Sequence, residues 1–254
     1  MSARQQFIEL IDSAEVSLAQ LALLAMQILK GDGESTQVAT DRALAQLATL
    51  VSDARAAGCE ESLERLVAYV GAERGYVGNA QNYYSADNSD LSLVLERRQG
   101  IPITLAIIYI ELGKALGLDL RGIGFPGHFL VGHYLHRKEA TLIDPYAGQL
   151  TDRASCLESL ARTSARPVEG DSAPSPDWPQ AQIDAWFLPA TAQQIALRLL
   201  ENLKQIYLQT RAGGQALAAI DLQLLVAPDN FELLQQQKSL TAQIFGRNDK
   251  PPVH

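Results

Sequence analysis

The sequence has 254 residues, of which 47% are hydrophobic and 20% charged, a balance typical of a globular protein that folds around its own core. Its 29 acidic and 21 basic residues give a formal net charge of −8, which argues against sequence-independent binding to nucleic acid or anionic membranes. With two cysteines and no clustered ligand spacing, the composition excludes a disulfide scaffold and predicts no metal and no cofactor.

Apolar residues in the first 70 positions recur at intervals of three and four, so we predict a run of amphipathic helices there. The most apolar part, residues 16–29, contains Gln20 and Gln27 and follows acidic residues, so we predict neither an export signal nor a membrane-spanning segment. The expected location is the cytoplasm, where Cys59 and Cys156 stay reduced.

Pro102 marks the start of a predicted central helix. Proline suits the first helical position because its missing N–H would have no intrahelical partner there, and Gly117 suits the residue after the last turn. Nearly every face between them is apolar, and the charged residues are Glu111 and Lys114. We therefore predict that this helix is the buried centre of a domain.

The segment after this helix predicts two antiparallel strands. They cover residues 120–136, where glycines interrupt the strand pattern, and residues 140–143. Residues 137–139 join them as a hairpin. The polar residues 79–88 predict a loop, and the proline-rich residues 164–184 predict a linker that crosses the surface.

Residues 185–247 predict a second set of helices. With position one at Leu197, their apolar and small residues follow the 34-residue pattern of the tetratricopeptide repeat, which packs two helices and ends on a proline. The matching residues are Leu200, Leu203, Tyr207, Ala216, Ile220 and Pro228. Lys204 and Gln223 depart from the pattern, because small residues are usual at both places. Residues 231–245 predict a further repeat helix or a capping helix, since one repeat cannot bury its apolar face alone.

Three short motifs carry the polar residues that could perform chemistry. They are Glu-Arg-Arg-Gln-Gly-Ile-Pro at 96–102, Pro-Gly-His-Phe at 126–129 and Ile-Asp-Pro-Tyr at 143–146. In this order they resemble the transglutaminase-like core. They are more closely similar to a bacterial family that joins this core to C-terminal tetratricopeptide repeats, the SirB-type family labelled as regulators of invasion-gene transcription.

The resemblance implies roles for His128 and Asp144. In the superfamily a cysteine at the start of the central helix is the nucleophile, a histidine on the next strand is the base, and an aspartate on the following strand orients the histidine. His128 and Asp144 match the base and the orienting acid. Their spacing supports the pair independently, because its midpoint is His136 beside the predicted hairpin, which places them opposite or one diagonal step apart.

The superfamily's cysteine position corresponds to Pro102 when Gly100 and Ala106 serve as anchors. Proline carries no nucleophile, so we keep Pro102 as a binding residue and not as a catalytic one. Thr104 is the nearest hydroxyl. Two residues along a helix correspond to about 200° of rotation, so its side chain is expected to face away from the cysteine's direction.

Neither cysteine supplies the missing nucleophile from the sequence. Cys59 lies beside Glu60 and Glu61, whose charges disfavour a thiolate, and Cys156 follows the last predicted strand. Each is either a structural thiol or a residue that folds back toward His128, and the structural alternative is the more common one.

Glu96, Arg97 and Arg98 would ordinarily form a solvated charged turn. The resemblance instead implies an ion pair or a carboxylate-binding group near the helix start, because guanidinium groups match carboxylates bidentately. Asn88 fits the family's approach to the site, where it would hydrogen-bond the backbone or form a turn. Tyr207 is assigned to the binding surface of the repeat helices.

Together these observations predict an α+β, mostly helical protein with a cysteine-protease-like or transglutaminase-like core. The predicted divisions are an N-terminal helical subdomain at 1–78, the core at 79–163, the linker at 164–184 and tetratricopeptide-type helices at 185–247.

The predicted function is binding of a protein or peptide partner by a catalytically inactive, regulatory module. The alternative is an amide-bond hydrolase or acyltransferase that uses His128 and Asp144 with Thr104 or water as nucleophile. A third possibility is a structural subunit of a larger assembly, which predicts a large apolar patch on the exposed face of the repeat helices.

Overall fold

The computed structural model describes residues 1–13, 15–60, 62–134, 140–164 and 178–245, and within these ranges the protein is mostly helical with two small sheets. The helices are α1 (Ala3–Ile11), α2 (Leu18–Lys30), α3 (Glu34–Ala56), α4 (Leu63–Val67), α5 (Leu91–Arg97), α6 (Pro102–Leu116), α7 (Arg153–Ser164), α8 (Gln180–Trp186), α9 (Ala192–Gln209), α10 (Gly213–Val226) and α11 (Phe231–Phe245). The strands are β1 (Val77–Gly78), β2 (Gln99–Gly100), β3 (Leu120–Ile123), β4 (Leu130–His133), β5 (Thr141–Asp144) and β6 (Gln149–Thr151).

The helices predicted in the first 70 residues are confirmed as α1 to α4. Helix α2 shows why they begin and end where they do. The Ser17 hydroxyl accepts a hydrogen bond from the Gln20 N–H at 3.2 Å and caps the first turn. The helix ends at Lys30 because Gly31 adopts a φ of 97°, which side-chain-bearing residues rarely adopt.

The predicted central helix is confirmed as α6, with Pro102 at its first position and Gly117 just beyond its end in the left-handed conformation. Eleven of its 15 residues are buried. It packs against β3 and β4, so the helix start and the strands that carry the polar motifs belong to one packed body.

The glycine-interrupted strand predicted over 120–136 is wrong in its extent, because it is two strands: β3 ends at Ile123 and β4 begins at Leu130. The glycines and the proline between them interrupt the strand pattern. Residues 135–139, which include His136 and the predicted hairpin turn, lie outside the described residues. Strands β3, β4, β5 and β6 form an antiparallel sheet in that order.

The described residues group by contact into two units. The first takes residues from Met1–Leu47, Ala80–Arg97 and Ala192–His254. Its core joins buried side chains of α1, α2, α9 and α10, among them Phe7, Leu21, Leu24, Leu200, Leu203 and Leu222. The N-terminal and C-terminal helices thus share one core. The division into separate domains along the chain stays a prediction.

The second unit takes residues from Ala48–Asn79 and Arg98–Thr191 and contains both sheets. Side chains from β3, β4 and β5 pack with Cys156 of α7 and with Phe187, which follows α8. Helix α8 shows that part of the predicted linker is helical, whereas residues 165–177 lie outside the described residues. This unit holds the motifs at 126–129 and 143–146.

Candidate functional site

His128 lies in the tight turn between β3 and β4. The Phe125 N–H donates to the Ile123 carbonyl at 2.9 Å, and the His128 N–H donates to the Phe125 carbonyl at 3.1 Å. Gly127 has a φ of 69°, a left-handed conformation that favours glycine. The Pro-Gly-His-Phe motif therefore forms a turn that presents the imidazole just before β4.

Asp144 is the last residue of β5. Its Oδ1 accepts hydrogen bonds from the backbone N–H groups of Tyr146 at 2.9 Å and Ala147 at 3.0 Å. The Gly148 N–H donates to the Asp144 carbonyl at 2.9 Å and closes the turn toward β6. This Asx-type turn fixes the direction of the carboxylate before any contact with the histidine is considered.

The structure brings His128 and Asp144 together, with Nε2 of the imidazole 2.9 Å from Oδ1 of the carboxylate. The register pairs Val131 with Ile143, so the two residues lie on a diagonal and not directly opposite. Burial by itself raises the pKa of Asp144. The contact with His128 and the backbone donors of Ala147 and Tyr146 outweigh burial, and the pKa lies below its ordinary value.

The pair, called here the dyad, opens onto a cavity of about 320 Å³. We call it the dyad cavity, and its described lining residues are Phe125, Pro126, Gly127, His128, Asp144, Tyr146, Thr151, Ser155, Cys156, Ser159, Leu160 and Thr163. Helix α7 supplies five of these residues, which recur every three to four positions and so lie on one helix face. One wall of the cavity therefore carries the dyad and another carries hydroxyls and a thiol.

Tyr146 is held against the dyad by close backbone packing. Its ring centroid lies 6.4 Å from that of His128, in an edge-on arrangement. Its carbonyl accepts a hydrogen bond from the Gly78 N–H at 2.8 Å, and its ring packs so closely on Gly78 that any Cβ there would clash with it. No local sequence pattern links Gly78 to Tyr146, so the sequence alone assigns Gly78 no role in the site.

Pro102 and Thr104, at the start of α6, lie at and near the position where the resemblance expects a nucleophile. Pro102 is the first helical residue and is buried. The Thr104 side chain is fully buried, and its hydroxyl donates to the Ile101 carbonyl at 3.1 Å and accepts from the Ile101 N–H at 3.2 Å. Neither Pro102 nor Thr104 is among the described residues that line the dyad cavity.

The two cysteines differ in their surroundings. Cys156 lines the dyad cavity, with its Sγ 3.8 Å from Oγ1 of Thr151. Cys59 is fully buried and is not among the described lining residues of that cavity. Burial raises the pKa of both thiols. The position of Cys156 was left open by the sequence, because nothing local indicates where α7 packs.

The charged triplet before β2 is partly engaged in structure. Arg97 pairs with Asp87, with 2.6 Å between Nη1 and Oδ2. Arg98 adopts a φ of 59°, and its carbonyl accepts a hydrogen bond from the Val77 N–H at 3.0 Å. Glu96 is exposed. None of these contacts tests the binding roles expected for the three residues, which stay predictions.

Asn88 and Tyr207 lie in the first unit. The buried Asn88 amide donates to the carbonyls of Asn82 at 2.6 Å and Tyr83 at 3.1 Å, which closes the loop before α5. Tyr207 packs against the helical core of this unit. Burial and the charges of Asp90 and Asp87 raise its pKa. The binding roles of Asn88 and Tyr207 also stay predictions.

Among the residues that the structure describes, no group of three His, Cys, Asp or Glu side chains is placed to hold a metal ion. In the same part of the chain, no helix has the length and apolar character needed to span a membrane.

Comparisons with known proteins agree with the motifs. A UPF0162 protein of Xylella fastidiosa strain Temecula1 is 39% identical over 170 residues, which are 66% of this chain and 57% of that protein. A UPF0162 protein of Pseudomonas aeruginosa is 36% identical over 132 residues, 51% of this chain and 42% of that protein. F-box only protein 21 of Homo sapiens is 26% identical over 165 residues, 65% of this chain and 25% of that protein.

The matched part of the chain thus spans 57% of the length of the two UPF0162 proteins of Xylella fastidiosa that it resembles. No solved structure matches it significantly. The family model described as the transglutaminase-like superfamily matches residues 39–201, which include the central helix, both residues of the dyad and the cavity wall on α7. This chain therefore belongs to the transglutaminase-like superfamily.

Proposed function

We propose that this protein is a catalytically inactive member of its superfamily that binds a protein or peptide partner as a regulatory module. The partner contacts the dyad cavity and the surface of α9, α10 and α11. The observation that carries the proposal is the start of α6, where the buried Pro102 occupies the position that the resemblance assigns to a nucleophilic cysteine.

The other potential nucleophiles support the same conclusion. The Thr104 hydroxyl is engaged at both of its polar functions with the Ile101 backbone, so it caps the helix. The Cys156 thiol reaches the dyad cavity, but burial, followed by the charges of Asp144 and Asp152, raises its pKa above the ordinary value. A thiol with a raised pKa reacts only when a base removes its proton, so it is a weaker nucleophile than the thiolate that the resemblance places at a helix start.

We assign α9 and α10 to the tetratricopeptide class. Ala216, Ala219 and Ile220 of α10 are buried, and Pro228 follows the helix as the repeat pattern expects. Such helix pairs build concave surfaces that bind peptides or partner helices, which supports a binding role for this part of the chain.

A polar network replaces the small residues that the repeat pattern expects at two positions. The buried Lys204 Nζ lies 2.6 Å from Glu201 Oε2 and donates to Gln236 Oε1 at 2.7 Å. The buried Gln223 Nε2 donates to the same Glu201 oxygen at 3.0 Å. The two departures from the pattern thereby tie α9, α10 and α11 to one another.

The cytoplasmic location is part of the proposal. It is supported by Cys59 and Cys156, which are both free thiols, because disulfides are rare in a reducing compartment.

The second candidate is a hydrolase of amide bonds in which the dyad activates a water molecule. The 2.9 Å contact within the dyad and the cavity beside it favour this candidate, because a carboxylate that holds an imidazole can direct its ring toward a substrate. It lacks a demonstrated nucleophile on the protein, and we place it second for that reason.

A capture experiment tests the binding proposal. The 254-residue chain is immobilised in three forms, namely the unchanged sequence and two variants. The proteins bound to each form are identified by mass spectrometry. Ser159→Trp fills the dyad cavity from the exposed face of α7, whereas Ser239→Trp is its matched control at an exposed serine of α11. We expect a partner that is lost with Ser159→Trp and retained with Ser239→Trp. Partners bound equally by all three forms would count against binding at the cavity.

An activity assay tests the inactive assignment. The full-length protein is incubated with a peptide substrate mixture, and released ammonia and new peptide termini are measured. We expect no turnover above that of a His128→Ala variant. Turnover that disappears in this variant, while its circular dichroism stays unchanged, would overturn the assignment and favour the hydrolase.

A further inference from the structure

The dyad cavity is lined by a thiol, an imidazole and a carboxylate, which belong to Cys156, His128 and Asp144. Cys156 lies in the first turns of α7, where its backbone N–H donates to the Asp152 carbonyl at 3.1 Å. Its side chain is 7% exposed, and it borders a space large enough for a small molecule. Access to this thiol is therefore through the dyad cavity.

Cys59 provides an internal comparison. It is also a free thiol, it is 0% exposed, and it is not among the described residues that line the dyad cavity. Both cysteines are thus free thiols. They differ because Cys156 borders a cavity that a reagent can enter and that an imidazole also lines.

Burial and the charged groups that face Cys156 raise the pKa of its thiol, so the thiol needs a base in order to react. Asp144 on β5 and Asp152 before α7 both oppose a negative charge on its sulfur, and burial acts in the same direction to raise its pKa. Thr151 lies against the sulfur and acts in the opposite direction. A protonated thiol reacts when a neighbouring base removes its proton, and His128 is the imidazole on this cavity, held by Asp144.

We propose that Cys156 is a modification site, at which its thiol exchanges with a small uncharged disulfide that enters the dyad cavity, with His128 as the base. The Cys156 sulfur attacks one sulfur of the disulfide, the S–S bond of the reagent breaks, and the thiol proton passes through His128 to the departing sulfur. The products are a mixed disulfide on Cys156 and one molecule of free thiol, so no further oxidant is needed.

The lining of the cavity selects the class of reagent. Its described residues include the carboxylate of Asp144 and no lysine or arginine, so the lining carries a negative charge without a permanent positive charge. An uncharged disulfide is therefore favoured over an anionic one such as oxidised glutathione.

The mixed disulfide would occupy the space in which we place the partner's contact. This regulatory consequence rests on the proposed function: modification of Cys156 is expected to abolish capture of a partner that binds in the dyad cavity. The modification itself does not depend on that function.

The test treats the full-length protein with 2-hydroxyethyl disulfide at neutral pH and follows the intact mass and the modified peptide over time. We expect one adduct, on Cys156, at least about tenfold faster than any adduct on Cys59, and slower reaction with oxidised glutathione. His128→Gln is expected to slow the reaction about tenfold or more, because the general base is lost. Ser159→Trp is expected to slow it by blocking access while His128 stays in place.

Equal reaction of the two cysteines, or an unchanged rate in both variants, would overturn the proposal. Circular dichroism of each variant, and equal labelling of both thiols in denaturant, identify any variant that fails to fold. Capture is then measured with the modified and the unmodified protein. If neither form captures a partner, the proposed function fails while the adduct on Cys156 still stands. If the adduct forms and capture is unchanged, the regulatory consequence is overturned.

Discussion

At the scale of single residues, the dyad depends on two local turns that are each stabilised without the other. The turn around Gly127 presents His128, and the turn after Asp144 directs its carboxylate through two backbone N–H donors. Each group is therefore ordered before the pair forms, which reduces the entropy that the contact must offset. Such preordering serves a ligand contact as well as it serves catalysis.

Replacing Asp144 by asparagine tests the electrostatics of this pair. The pKa of Asp144 is lower in the folded protein than its ordinary value of 3.8, so its ionised form stabilises the fold above that pH. This stability is lost as the pH falls through the lower, folded-state pKa. Between pH 6 and pH 3 we expect the free energy of unfolding to fall more for the native protein than for Asp144→Asn.

Urea unfolding at several pH values measures this difference. At pH 7 the variant is expected to lose about 1.5–3 kcal/mol, the range for a hydrogen bond to a charged group. Because other carboxyls titrate in both proteins, the comparison uses the difference between them. Parallel pH profiles would contradict a stabilising role for the ionised carboxylate.

Gly78→Ala tests the packing that holds Tyr146. The added methyl group would clash with the Tyr146 ring, so the ring or the backbone must move. We expect a loss of about 1–3 kcal/mol, as for other overpacked sites, measured by urea unfolding. Gly33→Ala is the control, because an added Cβ there meets open space. Similar stability changes in the two variants would show that the Tyr146 ring yields freely.

At the scale of elements, local residues determine where helix α6 begins and ends. Pro102 and Thr104 define its start, and Gly117 ends it in a left-handed conformation. The resemblance assigns the nucleophile's position to this proline, and the Thr104 hydroxyl bonds the Ile101 backbone. Under the proposed function, the residues that specify the helix start are also those that leave it without a nucleophile.

Thr104→Val separates the capping role from a catalytic one. Valine keeps the shape of threonine and removes the hydroxyl that bonds both polar groups of the Ile101 backbone. We expect a loss of about 1–2 kcal/mol by thermal or urea unfolding, as for other lost helix caps. Thr141→Val on β5 is the control, because valine suits a strand position. Unchanged stability of Thr104→Val would contradict the cap.

The polar network among α9, α10 and α11 makes a second element-scale prediction. Lys204→Met removes a buried ammonium and leaves Glu201 and Gln236 without it. We expect the free energy of unfolding to fall by about 1–3 kcal/mol. Glu201 and Gln236 remain partly removed from water but no longer have the ammonium as a partner. Lys238→Met, at an exposed site on α11, is expected to change little. A more stable Lys204→Met would show that the network serves a purpose other than stability.

At the scale of the whole molecule, the C-terminal helices contribute to a core that begins at the N-terminus. Leu200, Leu203 and Leu222 pack in the same cluster as Phe7 and Leu21. A chain that ends at Ser164 would expose this cluster to water. The free energy of this exposure is proportional to the apolar area that becomes accessible to water, at about 25 cal/mol per Å².

We therefore expect the chain ending at Ser164 to lose helix content in α1 and α2 and to aggregate, in contrast to the 254-residue chain. Circular dichroism and size-exclusion chromatography measure the two properties. A monomeric fragment with full helix content in its first 60 residues would instead support separate domains divided along the chain. For this reason partner mapping is better done with point variants than with the truncation.

The sequence by itself determined the features that depend on neighbouring residues. The run of N-terminal helices and the two ends of α6 at Pro102 and Gly117 follow from local spacing and are confirmed as elements. The pairing of His128 with Asp144 is what the resemblance implies, and their spacing supports it. The 2.9 Å contact agrees with the spacing argument, because antiparallel strands bring residues around a hairpin to a calculable register.

Only the tertiary structure decided which distant residues meet. It placed Cys156 on the dyad cavity, seated Tyr146 on Gly78 and joined the helices of both termini in one core. These contacts depend on how amphipathic faces and close backbone approaches fit together across the chain. Hydrophobic periodicity indicates that a face is buried, but it does not specify the partner, because burial of apolar surface is non-directional.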